Sequence, residues 1–304
     1  MRGFLYKVVF FFGMTCVVLI GACFFLPGHA SKTMLGALPK KYANFDALCG
    51  GRYVLLGGSG TYEGFDTAWL AHNLKRPVYN LGLHAGLGLV YTLQSALGHL
   101  HESDVVLVFP EYANFTGGNC WGNLETVATV SDIVPEERSL ISFRQWIKLL
   151  PHILEYGATK IRNIFVKYGK DKSNDFDIYG DNLWDSNLPE DASMPFPTSG
   201  KLCASAFSSD AIEVIRKFVE TANGKGVKTI FVPPAYASDS FRQEKEFIDT
   251  ISVELEKQGV AFICRPDRYA FDRKFFFDTA YHLNPVGRRL RSECLLEDLK
   301  KLGL

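Results

Sequence analysis

Residues 52–66 read Arg52-Tyr53-Val54-Leu55-Leu56-Gly57-Gly58-Ser59-Gly60-Thr61-Tyr62-Glu63-Gly64-Phe65-Asp66. The apolar run 53–56 is continuous rather than alternating, as expected of a strand covered on both faces of a parallel sheet. Glycines around Ser59 allow a tight turn at the carboxyl end of that strand, and the following helix start leaves backbone N–H groups unpaired. Runs of the same kind recur at 78–81, 105–109, 229–232 and 261–264, each bounded by turn residues. Helical patterns separate them at 66–74, 87–101, 209–223 and 239–258. A last helix is expected at 285–302, with Asn284 as its N-cap and Pro285 in the first turn. Strand and helix in alternation predict a doubly wound α/β domain.

In such folds chemistry collects at the carboxyl ends of the strands. The first strand offers Ser59 there. The second runs into Asn80-Leu81-Gly82-Leu83-His84-Ala85-Gly86-Leu87-Gly88, where glycines let the backbone approach a ligand and Gly86 stands near a helix start. The third ends in Phe109-Pro110-Glu111-Tyr112-Ala113-Asn114, with Glu111 as a charge partner and Asn114 as a hydrogen-bond donor. Before the last helix comes Phe277-Asp278-Thr279-Ala280-Tyr281-His282-Leu283-Asn284. Here an aspartate can orient a histidine so that its other nitrogen accepts a proton, and Ser59 supplies the nucleophile that such a base serves. The turn at Ser59 lacks the lysine and spacing of a phosphate loop, and Gly82, Gly86 and Gly88 do not form a dinucleotide fingerprint.

These segments resemble the SGNH (GDSL-like) hydrolase superfamily over roughly residues 53–302, especially its membrane-anchored bacterial branch linked to acylation of cell-envelope polymers. The resemblance implies a three-layer α/β/α sandwich with a five-stranded parallel sheet. It implies Ser59 as nucleophile, His282 as general base and Asp278 as the acid that orients it. Gly86, or alternatively Gly82, and Asn114 would then donate to an oxyanion. Three positions depart from the family pattern. Gly58 replaces an aspartate before the serine, aspartate and histidine are four rather than three positions apart, and Pro110-Glu111-Tyr112-Ala113-Asn114 stands in place of Gly-x-Asn-Asp. Glu111 in that block would repel a developing oxyanion unless protonated or turned away.

Residues 1–30 hold an uncharged apolar run from Val8 to Leu26, which nearly crosses a hydrocarbon layer of about 30 Å at roughly 1.5 Å per helical residue. It reads as a membrane anchor. A cleavable secretory signal ending at Gly28-His29-Ala30, or a lipoprotein box at Ile20-Gly21-Ala22-Cys23, are the alternatives. Each sends residues 31–304 out of the cytoplasm, and Arg2 and Lys7 favour an inside amino terminus. The alternation breaks at about 114–207, which we read as an insertion or cap. Within it, residues 138–172 carry eight Lys or Arg against Glu155 and Asp171, and residues 173–213 carry eight acids against Lys201. Arg144, Lys148, Arg162 and Lys167 interleave with apolar residues, which suits a helix packed on the domain or one lying against anionic lipid.

With 33 basic and 33 acidic residues in 304, the chain has no net positive charge to favour nucleic acid, and no nucleic-acid partner is expected. No histidine or cysteine spacing suits a metal, and no cofactor is expected. The expected function is an extracytoplasmic, single-pass membrane serine esterase or O-acyltransferase acting on an acylated cell-surface glycan or lipid-linked polymer, alone or with a membrane-bound acyltransferase. The alternative is a non-catalytic relative that holds a glycan or an acyltransferase partner, with Trp121, Tyr156, Tyr168 and Trp184 stacking on sugars.

Overall fold

The computed structural model describes residues 2–183, 188–198, 202 and 206–304. Five consecutive buried residues form β1 (Tyr53–Gly57), which lies between β2 (Val78–Asn80) and β3 (Val105–Phe109); β4 (Lys228–Phe231) pairs with the far side of β3. All three pairings are parallel, with Tyr53 opposite both Val78 and Val105, and Val108 opposite Phe231. From the amino end the helices are α1 (Arg2–Phe25), α2 (Leu38–Asp46), α3 (Ser59–Tyr62), α4 (Thr67–Leu74), α5 (Gly88–Leu97), α6 (Leu124–Asp132), α7 (Phe143–Arg162), α8 (Asp210–Gly224), α9 (Ser238–Gln243), α10 (Lys245–Lys257) and α11 (Pro285–Lys301). A two-stranded parallel sheet of β5 (Tyr236–Ala237) and β6 (Ala270–Phe271) lies outside the main one.

Among the described residues the main sheet has four strands where five were expected. Residues 261–264 contribute one parallel bridge, Phe262 to Phe231, and the Ile263 N–H donates to the Phe231 carbonyl at 2.7 Å. Ala261 is exposed and Phe262, Ile263 and Cys264 are half-buried, so this run lacks the two-sided cover that its composition suggested. Pro266, which has no N–H to give to a ladder, starts a 3₁₀ turn directly after it. The helix expected at 239–258 is two, α9 and α10, separated at Glu244, whose buried carboxylate accepts the Tyr236 hydroxyl at 2.7 Å. Asn284 caps the last helix as read from the sequence, its Oδ1 accepting from Gly287 N–H at 3.0 Å, and Asp66, expected inside a helix, is the N-cap of α4, its Oδ1 accepting from Trp69 N–H at 2.9 Å.

The strand order β2-β1-β3-β4 positions the site. The connection leaving β1 goes to one side and β3 lies on the other, so the loops after β1 and β3 diverge and leave a crevice at their carboxyl ends. Ser59 follows β1 and Glu111 follows β3. At the opposite end of the same strands, Arg52 and Asp104 form a buried ion pair at 2.5 Å that ties β1 to β3.

Candidate active site

Gly58 is the hinge on which Ser59 turns out of the sheet. A Cβ there would lie 2.6 Å from Glu111 Oε1 and 2.9 Å from Ala85 Cα, so the loops after three strands meet at a position that accepts no side chain. Ser59 is the first residue of α3, and its N–H belongs to the helix's first turn, which has no intrahelical acceptor. Below it, the Gly60 carbonyl accepts from Arg291 Nη1 at 2.6 Å. The Arg291 guanidinium is fully buried against the rings of Phe65 and Phe109, at 4.1 and 4.9 Å from their centroids, and burial pushes its pKa down to about 9.

His282 comes from the other end of the chain on a loop that is tied down at both sides. Its N–H donates to Thr279 Oγ1 at 3.1 Å, its carbonyl accepts from Phe277 N–H at 2.9 Å, and Asn284 donates its side-chain amide to the Lys274 and Ala192 carbonyls at 2.8 and 3.2 Å. The ring is thereby held with Nε2 2.9 Å from Ser59 Oγ and Nδ1 2.8 Å from Asp278 Oδ1. A second carboxylate, Glu63 Oε2, lies 2.9 Å from the same Nδ1. Sequence reading passed over Glu63. The signal was present in its spacing, because four residues after Ser59 is one helical turn and puts both side chains on one face.

Electrostatics follow from this geometry. Burial opposes a charge on the His282 ring, but the hydrogen bonds and charges of Asp278 and Glu63 outweigh it and push the pKa up to about 10. The hydrogen bond from His282 holds Asp278 below the usual carboxylate value, against the opposing effect of burial. Glu63, Asp278 and His282 bring their ligand-type atoms within 4.8 Å of one another. A cation there would displace the Nδ1 proton that both carboxylates take. What the arrangement can do is move a proton between Ser59 Oγ and Nε2 while two negative groups stabilise the charged ring.

The expected oxyanion donors are placed differently. Gly86, Glu111 and Asn114 line a cleft of about 450 Å³ together with Asn123, Lys148 and His152. Yet the Gly86 N–H donates to His84 Nδ1 at 3.0 Å, and the Gly82 N–H to Asn80 Oδ1 at 2.8 Å, with Gly82 packed under Thr61 and Tyr62. Asn114 turns its carboxamide oxygen back to the Glu111 N–H at 2.9 Å. For Gly82 and Gly86 a polar side chain two residues away satisfies the amide locally, as in an Asx turn, whereas the Asn114 bond uses its acceptor oxygen and not its NH2 donor. Glu111 itself is buried beside the turn that carries Ser59, and its Oε1 accepts the Gly60 N–H at 3.2 Å. Burial raises its pKa, with the Gly60 bond and the nearby His282, His84 and Arg291 acting the other way.

The aromatic residues of the insertion are engaged in packing. Trp121 is buried, donates Nε1–H to Asp210 at 2.8 Å and lies under the Arg144 guanidinium at 4.7 Å. Tyr156 is buried and donates its hydroxyl to Asp132 at 2.6 Å, and Tyr168 stacks on His29. Trp184 lies outside the described residues.

No family model matches the chain, and no curated protein matches it. Among solved structures, the crystal structure of the Bacillus subtilis protein YxiM is similar, at 12% identity and a TM-score of 0.42. The similarity covers 84% of this chain and 58% of that one, so the chain spans less than two thirds of YxiM. The functional reading therefore rests on the residues themselves.

Proposed function

We propose that this chain is a membrane-anchored serine esterase or O-acyltransferase that acts outside the cytoplasm on acyl esters of a cell-surface glycan or lipid-linked polymer. The observation that carries the reading is the relay of Ser59 Oγ, His282 and Asp278, with contacts of 2.9 and 2.8 Å. Neutral His282 takes the Ser59 proton as Oγ bonds to the acyl carbon, and Asp278 with Glu63 supports the resulting imidazolium. The ring returns the proton to the departing alkoxide as its bond to carbon breaks, which leaves the acyl group on Ser59. Water, or a sugar hydroxyl in transfer, then gives its proton to His282 as its oxygen bonds to the acyl carbon, and the ring passes that proton to Ser59 Oγ as the acyl–Oγ bond breaks. The first-turn N–H of Ser59 is available to the developing oxyanion, and burial that favours neutral Glu111 limits repulsion beside it.

α1 supports the membrane part of the reading: Gly3–Phe25 is long and apolar enough to cross a bilayer, at mean hydropathy 2.6. Engagement of the Gly82 and Gly86 amides favours a second reading, a non-catalytic protein that holds a glycan or a membrane-bound acyltransferase. Treatment of the full chain with a fluorophosphonate probe separates the two. Labelling at Ser59 that disappears in His282→Ala is expected. Unchanged envelope-modifying activity in Ser59→Ala would overturn the serine mechanism and select the holding role.

A further inference from the structure

Helix α7 has two apolar faces. Leu149, Ile153, Tyr156 and Gly157 are buried. A second stripe of Phe143, Ile147, Leu150, Leu154, Ala158 and Ile161 advances in steps of three and four, which keeps it on one side of a helix. Phe143 is 82% exposed and Ile147 56%; just past the helix, Phe165 is 94% exposed. Outside α1, eight of the fourteen exposed large hydrophobic side chains among the described residues lie within 143–168. Such concentration on one helix and the six residues that follow it marks a docking surface rather than scattered surface residues.

The neighbouring element identifies the occupant. α1 crosses α7 at Gly157, where a Cβ would overlap the Leu19 carbonyl. Lys160 Nζ donates to the Cys23 and Leu26 carbonyls at 2.6 and 2.9 Å, and Phe24 meets Trp146 edge-on in a groove shared with Ile147 and Leu150. His29 then stacks on Tyr168 at 5.2 Å. The part of α1 that stands clear of the domain, residues 3–18, is about 24 Å long at ~1.5 Å per residue. A hydrocarbon layer is about 30 Å thick. The remaining depth must come from the residues after Val18, which are the ones fastened to α7.

We propose that α7 is a second membrane element: its Phe143-to-Ile161 stripe and residues 164–166 lie in the outer interfacial layer of the bilayer that α1 crosses. Exposed Arg162, Lys167, Lys170 and Lys172, opposed by Asp171, meet anionic head groups there. Lys148 and His152 project from the other side of α7 and line the cleft, so the cleft sits about one helix diameter, ~10 Å, above the lipid. A substrate held just above the head groups, such as an acyl ester on a lipid-linked glycan, fits that position. This inference rests on α1 spanning the membrane.

The test uses the full chain in phosphatidylcholine and phosphatidylglycerol vesicles, with single tryptophans added as Phe143→Trp, Ile161→Trp, Phe11→Trp and Val253→Trp. Quenching by lipids brominated at shallow or deep acyl positions is read after subtraction of the unsubstituted protein. Shallow-label quenching at 143 and 161 several-fold above that at 253, with deep-label quenching at 11, is the expected result. Quenching at 11 without quenching at 143 and 161 overturns this inference alone. Absence of quenching at 11 overturns the anchor and the inference together.

Discussion

Replacement of Glu63 by glutamine tests how the candidate base is tuned. Glu63 Oε2 is 2.9 Å from His282 Nδ1, in a site where the glutamate side chain is 13% exposed and the histidine 18%. The Glu63→Gln change keeps the shape and can keep the contact with Asn182, which donates to Glu63 Oε1 at 3.3 Å, but removes one negative charge from the ring. An opposite charge at this range favours the charged form by about 1–3 pKa units, so the ring should fall from about 10 to between roughly 7 and 9. At pH 8 the neutral fraction of His282 then rises about 10- to 90-fold, from near 1%. The assay is the rate of fluorophosphonate labelling at Ser59 between about pH 6 and pH 10. The variant's rate should reach half its maximum at lower pH than the wild type's, with a lower plateau because the base is weaker. A stability readout accompanies it. The ring's pKa is raised on folding, so its contribution is fully present below 6.5, the ordinary histidine value, and lost as pH rises through about 10. Glu63→Gln should therefore lower the unfolding midpoint at pH 6 and leave it little changed above pH 10. Superimposable rate profiles for the two proteins would refute the reasoning, since they would mean that Glu63 does not bear on the base.

Other changes probe the surroundings of the relay. Glu111→Gln should stabilise the protein at pH 8, read as a higher urea midpoint. A buried carboxyl with raised pKa loses stability as pH climbs from its unfolded value of 4.5 towards its folded one, so the gain should vanish near pH 4. Asn284→Ala removes the cap on α11 and leaves the Lys274 and Ala192 carbonyls without their donor; a loss of about 1–2 kcal/mol and slower labelling at Ser59 are expected. Gly157→Ala forces α7 away from the Leu19 carbonyl and should speed amide hydrogen exchange in residues 19–26, which unchanged exchange would rule out.

The chain's local chemistry made much of the fold legible. Residues 53–56, 78–81 and 105–109 announce covered strands because two-sided burial leaves no polar alternation, and Asn284-Pro285 announces a helix start because the orphan N–H groups there need an acceptor. Ser59 and the Asp278/His282 pair were visible because glycines, strand ends and a capped helix mark places where side chains are presented. The apolar length of residues 8–26 announced a membrane-competent helix in the same local way.

Tertiary structure decided what depends on partners far apart in the chain. Only folding brings His282 to Ser59, and only it shows Glu63 sharing Nδ1 with Asp278, which sets the ring near 10 rather than near 6.5. The amides of Gly82 and Gly86 looked free in sequence, because whether an N–H is satisfied depends on where Asn80 and His84 turn their side chains. Residues 261–264 had a strand's composition but not its cover. The two apolar faces of α7 were both written in its period, yet which one is buried was settled by the passage of α1 across Gly157. Periodicity specifies that a face is apolar; the contact that covers it is a property of the whole chain.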